Sequence, residues 1–218
     1  MATKIITKGK KPFNGRIYRE PDGNYLSVTS IIHPDGIDYP KELLDQYSAR
    51  GSIIHAQTEH FLTHYQWVDP IHICDHKDIE TVKNGSLKLN LEACNPRGFL
   101  QEYGDLFRFY HLEQKLKNTQ HKYAGRADAI GTYVSELAII DFKTASNYDA
   151  EKLKGYFMQL SAYAYCVTPR PTKLVVIPLN PSSPNGYDAP IVESNIDHYY
   201  SLFLTQLDYV RENYIFPV

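Results

Sequence analysis

The alternation of apolar and polar positions is clearest in the second half of the chain. Three segments, roughly 111–118, 122–133 and 136–143, read as β-strands, and the third carries the apolar run Leu137 to Ile140. A helix follows over about 149–167, and a fourth strand over 172–179. Connections among the first three strands are short enough to require an antiparallel meander, whereas the helical crossover permits the fourth to pair in parallel. Asn195 is placed to cap a last amphipathic helix that uses Tyr199, Leu202, Phe203, Leu207 and Val210. The expected fold class is α/β (α+β) on a mixed sheet.

The first half reads as a hairpin followed by helices. Arg16 to Arg19 and Tyr25 to Val28 flank Pro21-Asp22-Gly23, a turn in which proline presets φ and glycine takes the positive-φ position. Lys41 to Ala49 predicts a helix that Gly51 interrupts. Ser52 then caps a second helix through about Gln66, with Ile54, Phe61, Leu62 and Tyr65 as its buried stripe. Trp67 to Ala93 has weak periodicity and reads as loop with one short helix around Asp78 to Lys83. Asn95-Pro96 makes a cap and first turn, and Phe99, Leu100, Tyr103, Leu106, Phe107 and Tyr110 predict a core helix from about Arg97 to Tyr110. No linker composition appears, so the 218 residues read as a single domain: hairpin and helices over 1–110, an αβ core over 111–180, and a strand and helix over 181–218.

Composition narrows the classes. A net charge of -2 gives no global basic footprint of the kind non-specific duplex binders carry, so a nucleic-acid role needs local evidence. Three widely spaced cysteines, Cys74, Cys94 and Cys166, argue against a disulfide framework and for a reducing compartment. No apolar run reaches membrane-spanning length. Lys4, Lys8, Lys10 and Lys11 precede no apolar segment, so the expected location is cytoplasmic; these lysines read as a backbone-contacting arm or as a solubilised terminus. The 18 tyrosines mostly read as covers of half-buried helix faces, with stacking on single-stranded bases the functional alternative.

The chemistry gathers in three stretches: Gly125-Arg126-Ala127-Asp128, Ile139-Ile140-Asp141-Phe142-Lys143-Thr144, and Gln159-Leu160-Ser161-Ala162-Tyr163. Asp128 and Asp141 are thirteen positions apart, a separation that two hairpin strands can fold face to face. Asp141 and Lys143 then point the same way, about 6 to 7 Å apart along the strand. Converging carboxylates repel unless something lies between them, and hard oxygens of this kind suit Mg²⁺ or Mn²⁺. Such an ion polarises a phosphodiester and acidifies bound water, and a neighbouring lysine offsets the charge that develops. On the following helix Gln159 and Tyr163 share a face with Tyr156 and can lean over the site.

Together these stretches resemble the PD-(D/E)XK nucleases of the RecB type, and more closely the mitochondrial genome maintenance exonuclease group and its phage-encoded relatives. The likeness extends over roughly 16–167: Tyr25 to Ile32 resembles the group's opening segment and Arg50 to His55 its Gly-x-x-x-His motif. The resemblance implies a restriction-endonuclease-like core with an N-terminal hairpin and helical elaboration. It implies His55, Asp128, Asp141 and the Phe142 carbonyl as metal ligands. Asp128, Asp141, Lys143, Gln159 and Tyr163 become catalytic residues, and Glu113, Arg126, Thr144 and Tyr156 DNA-binding or accessory ones. On its own residues His55 reads as a surface histidine paired with Glu59 at i+4; only the resemblance makes it a ligand. The implied activity is metal-dependent exonuclease cleavage of DNA, on single strands or free ends, in replication, recombination or repair.

The CRISPR-associated RecB-like exonucleases share these motifs but hold an iron-sulfur cluster on four cysteines, which a chain with three cannot supply. No P-loop is present, so unwinding would fall to replication or recombination proteins as partners. Two other readings stand beside the exonuclease: a sequence- or structure-specific endonuclease of the same superfamily, and a non-catalytic nucleic-acid-binding module. A zinc site on His60, His64, His72, Cys74 and His76 is a further reading, although these residues lack paired structural-zinc spacing.

Overall fold

The computed structural model describes residues 9–36 and 39–217; Lys4 and Lys8 of the basic N-terminal arm lie outside them. In chain order the elements are β1 (Lys11–Pro12), β2 (Ile17–Glu20), β3 (Gly23–Ser27), α1 (Val28–Ile32), α2 (Lys41–His64), α3 (His76–Asn84), α4 (Pro96–Tyr103), β4 (Phe107–Asn118), β5 (Tyr123–Tyr133), β6 (Glu136–Lys143), α5 (Ala150–Ala164), β7 (Lys173–Pro178), β8 (Ile191–Glu193), α6 (Ile196–Asn213) and β9 (Tyr214–Ile215). Short 3-10 turns occupy Pro70–His72, Leu91–Ala93 and Gly104–Leu106. The fold is mixed α/β on a seven-stranded mixed sheet, and β1 pairs with β9 in a separate two-stranded ribbon.

The sheet is built around β5 and β6. Ala138, Ile139 and Ile140 of β6 and Leu174 to Ile177 of β7 are fully buried, the near-continuous apolar run expected of strands covered on both faces. β6 and β7 pair in parallel across the α5 crossover, and β4, β5 and β6 form the antiparallel meander. One face packs against α1, α5 and α6 through Val28, Ile31, Phe157, Leu160, Phe203 and Leu207. A second core gathers Ile54 of α2 and Phe99 of α4 against Ile140, Phe142 and Val175. Asn195 and Asp149 cap α6 and α5 with their side chains, so both helices start where their sequences place a cap.

The pairing along β5 creates the feature that positions the site. β4 covers one edge of β5 over its whole length. On the other edge β3 pairs with Tyr123 and Ala124, and β6 with Ala129 through Tyr133. Among the described residues, Gly125 to Asp128 therefore has no strand neighbour on that edge. The C-terminal ends of β3 and β6 approach this gap from opposite directions, because β3 runs parallel to β5 and β6 antiparallel.

Three expectations fail for identifiable reasons. The helix expected to break at Gly51 is one helix of 24 residues, without a cap at Ser52. Buried Ala49, Ile53 and Ile54 on either side hold it, and this outweighs the roughly 1 kcal/mol that glycine costs a helix. Tyr65 does not join the buried stripe; it ends α2 in the left-handed region at φ 57 and is 83% exposed. The core helix expected to reach Tyr110 stops at Tyr103, because Phe107 and Phe109 pair with Tyr133 and Gly131 as strand. Four-residue aromatic spacing fitted a helix, but the two-residue spacing of Phe107 and Phe109 is what the sheet uses.

A Cβ built on Gly51 meets only Thr144 Oγ1, at 3.6 Å, an ordinary contact. Gly51→Ala is therefore expected to raise stability by about 0.5 to 1 kcal/mol, read as a higher denaturation midpoint with unchanged slope.

Candidate active site

Asp128, Asp141, Lys143 and His55 meet at the gap in the sheet. Lys143 Nζ lies 2.8 Å from Asp141 Oδ2, and Asp141 is only 2% exposed. The pair is close but poorly aligned, so Asp141 Oδ2 receives no well-directed hydrogen bond. The Lys143 ammonium also sits over the ring of Tyr156, 4.9 Å from its centroid. Burial works against the Lys143 charge, but Asp141 and Asp128 more than offset it and leave its pKa raised.

Asp128 occupies the unpaired stretch of β5. Its Oδ2 accepts the Phe142 N–H at 2.8 Å, a hydrogen bond that replaces the missing strand pairing. Burial first, with the Asp141 charge adding to it and His55 opposing it, pushes the Asp128 carboxyl up to about 6. His55 reaches in from α2. Its Nε2 lies 2.7 Å from the Phe142 carbonyl oxygen and its Nδ1 lies 3.5 Å from Asp128 Oδ2. A carbonyl only accepts, so Nε2 donates to it, which leaves Nδ1 as the nitrogen that faces Asp128 Oδ2.

Glu113 completes the set. It stands opposite Asp128 across the β4–β5 ladder, between the pairs Leu112↔Ala129 and Gln114↔Ala127. Its backbone is in the left-handed region at φ 49, unusual for a non-glycine residue in a strand and a strain of the kind that accompanies functional positions. His55, Glu113 and Asp128 each offer a ligand atom within 4.8 Å of the others. Burial and the Asp128 charge raise the Glu113 pKa, while Arg126 Nε, 2.9 Å from Glu113 Oε2, opposes them.

The donor set fits a hard divalent cation: two carboxylates and an imidazole converge, and a third carboxylate, Asp141, lies nearby in an ion pair with Lys143. The resemblance implied Asp141 as the companion of Asp128 and His55; the tight trio instead contains Glu113, with Asp141 beside it holding Lys143. His55 and the Phe142 carbonyl, both expected ligands, are bonded to one another.

The remaining expected residues divide. Gln159 and Tyr163 line the same groove as His55, Glu113, Arg126 and Asp128, a cleft of about 1090 Å³ between the hairpin, α2 and the β4–β5 ladder. Burial, followed by the charges of Asp141 and Asp128, raises the Tyr163 pKa, and the Arg126 backbone opposes them. A Cβ on Gly125 would lie 2.5 Å from the Tyr163 hydroxyl, so only glycine lets Tyr163 reach the strand. Thr144 stands apart: it faces Gly51, and its part is to offer its carbonyl to Arg50 Nη2 at 2.8 Å.

Sequence reasoning missed the residues that hold the end of β6. The carbonyls of Phe142, Lys143 and Thr144 accept from His55, from the Tyr148 hydroxyl at 2.5 Å and from Arg50. Arg50 is 4% exposed, and among the described residues it has no carboxylate partner. Its position directly before Gly51 carried no signal of burial. Tyr148 was hidden in the loop after the Asp-Phe-Lys strand. The five residues of the zinc reading do not assemble: among the described residues they form no group of three ligands, His60 and His64 stack on each other with ring centroids 4.4 Å apart, and Cys74 turns toward the Ile53 carbonyl.

No helix among the described residues is long and apolar enough to cross a membrane. No family model matches the chain, and no curated protein matches it. A solved structure described as "Crystal structure of SSO0001" is 15% identical over 88% of this chain and 78% of that chain, with a TM-score of 0.35.

Proposed function

We propose that the chain is a metal-dependent deoxyribonuclease of the RecB-type PD-(D/E)XK superfamily, acting as an exonuclease on single strands or free DNA ends. The observation that carries this reading is the convergence of Asp128 with the buried Asp141–Lys143 pair at the one stretch of β5 left unpaired on its β6 edge, beside His55. His55, Glu113 and Asp128, with Asp141 adjacent, are the residues that would hold Mg²⁺ or Mn²⁺. The ion, when bound, supplies Lewis acidity toward a phosphodiester oxygen and a more acidic water.

The chain's own groups do the rest. Asp141 keeps Lys143 charged and aimed, and Tyr156 limits where the ammonium can go. A charged lysine beside the carboxylates orients the attacking water and offsets the negative charge that grows on the phosphate. Gln159 and Tyr163 narrow the groove on the α5 side, and the His55 bond to the Phe142 carbonyl fixes α2 against the end of β6.

Digestion of end-labelled linear single-stranded DNA beside a closed circular single strand, with Mg²⁺, Mn²⁺ or chelator, tests the reading. The expected result is loss of the linear strands with either metal, none with chelator, and an intact circle. A cut circle would make the protein an endonuclease, and no cleavage in any condition would overturn the nuclease reading.

A further inference from the structure

The groove lining changes in character along its length. One part holds His55, Glu59, Glu113 and Asp128; the other holds the cations Arg16, Lys115 and Lys117 beside Tyr18, with Glu20 as its one acid. The connection between them is the β4–β5 ladder, in which Lys115 pairs with Arg126 and Lys117 with Ala124. Along β4 the groove therefore receives Glu113, then Lys115, then Lys117, each two residues beyond the last. A two-residue step in a strand is about 6.6 to 6.8 Å, close to the spacing of successive phosphates along an extended nucleic-acid strand.

We propose that Lys115, together with Arg126 and Lys117, forms a phosphate ladder that leads one strand of nucleic acid away from the carboxylates and toward the β2–β3 hairpin. This rests on the nuclease reading of the site and adds to it the path of the strand and the number of phosphates held. The phosphate next to the reacting one lies at the Lys115–Arg126 rung and the following one at Lys117. Tyr18, on the hairpin wall of the same groove, gives a base a ring to stack on. Cations along a backbone track with an aromatic on the other wall are the combination that single-strand binders use.

The three cations are not equivalent. Arg126 is tied to Glu113 at 2.9 Å, and Lys117 shares its charge with Asp22 at 3.0 Å. Lys115 is exposed and, among the described residues, has no acid partner, so its charge is the one most available to a phosphate. The ladder predicts that Lys115 contributes more than Lys117.

The test is binding of a labelled oligothymidylate across a salt series, with Asp141→Asn as the non-cleaving parent and Lys115→Ala, Lys117→Ala and Lys77→Ala placed upon it. Lys77 is exposed on α3, outside the groove, and controls for loss of one positive charge. Lys115→Ala is expected to flatten the slope of log affinity against log salt by about 0.7, the value of one released counterion on a single strand. Lys117→Ala should flatten it less, and Lys77→Ala should leave it unchanged. Equal slopes for the parent and Lys115→Ala, or equal losses for Lys115→Ala and Lys77→Ala, would overturn the ladder. If the unmutated protein cleaves DNA while these slopes stay equal, the ladder alone falls. If it neither cleaves nor binds, the nuclease reading falls with it.

Discussion

Lys143→Ala is expected to slow single-turnover cleavage by about 10²- to 10³-fold, the loss that follows removal of one preorganised charge from a reacting site. Stability should fall as well, for a separate reason. Asp141 is 2% exposed, and Lys143 is its ion-pair partner, so the substitution strands a buried carboxylate. Breaking one side of such a pair costs about 3 to 5 kcal/mol when the other charge stays ionised. The double variant Asp141→Asn/Lys143→Ala removes the stranded charge; it should recover most of the stability and none of the activity. Thermal melts of the single and double variants, run beside the cleavage assay, separate the two effects. Cleavage by Lys143→Ala within a few-fold of the parent would remove Lys143 from the chemistry.

Asp128→Asn should abolish cleavage while making the protein more stable at neutral pH. The Asp128 carboxyl is pushed from 3.8 up to about 6, by burial first. Between those values the folded protein holds a proton that the unfolded chain has released, so this group's contribution to stability falls as pH rises through the window. Above about pH 6 the full cost is present, at most about 3 kcal/mol by the usual conversion. Asparagine keeps an oxygen for the Phe142 N–H and carries no charge to bury. The gain over the parent should therefore be absent below pH 4, grow between 4 and 6, and level off above. Mn²⁺ affinity, measured by calorimetry, should drop by about tenfold or more, and the proton release that accompanies metal uptake in the parent should diminish. A less stable Asp128→Asn at pH 7 would show that something other than burial governs this carboxyl.

The elements legible in the sequence were those whose signal is local. β5, β6, β7, α5 and α6 fall close to their expected spans, because strict alternation, a buried apolar run and the Asn195 cap each act within a few residues. The pairing of β3 with β5 was not legible, since nothing near Leu26 names Tyr123 as its partner, and that pairing is what leaves the gap. Gly51 misled because its local cost is real and the packing that overrides it comes from elsewhere. Asp128, Asp141 and Lys143 could be placed together from hairpin geometry alone. Arg50 and Tyr148 could not, because each acts through a backbone carbonyl and leaves no pattern in residue type. Glu113 was seen as an accessory acid, but its left-handed backbone and its place in the His55–Asp128 trio depend on the ladder across from it.

The gap beside Gly125 to Asp128 has a mechanical consequence. β3 and β6 share β5 as a neighbour but exchange no hydrogen bonds with each other. The sheet therefore has a seam at the candidate site, with β5 as its spine. Opening the seam swings the hairpin away from β6 without breaking a rung of either ladder. What resists is side-chain packing, chiefly Val28 and Ile31 of α1 among the residues of α5 and α6, with the bond from Gln206 Nε2 to the Ile31 carbonyl and the β1–β9 pairing just before the hairpin. The width of the seam is thus set by how tightly one short helix is seated as much as by the sheet's own hydrogen bonds.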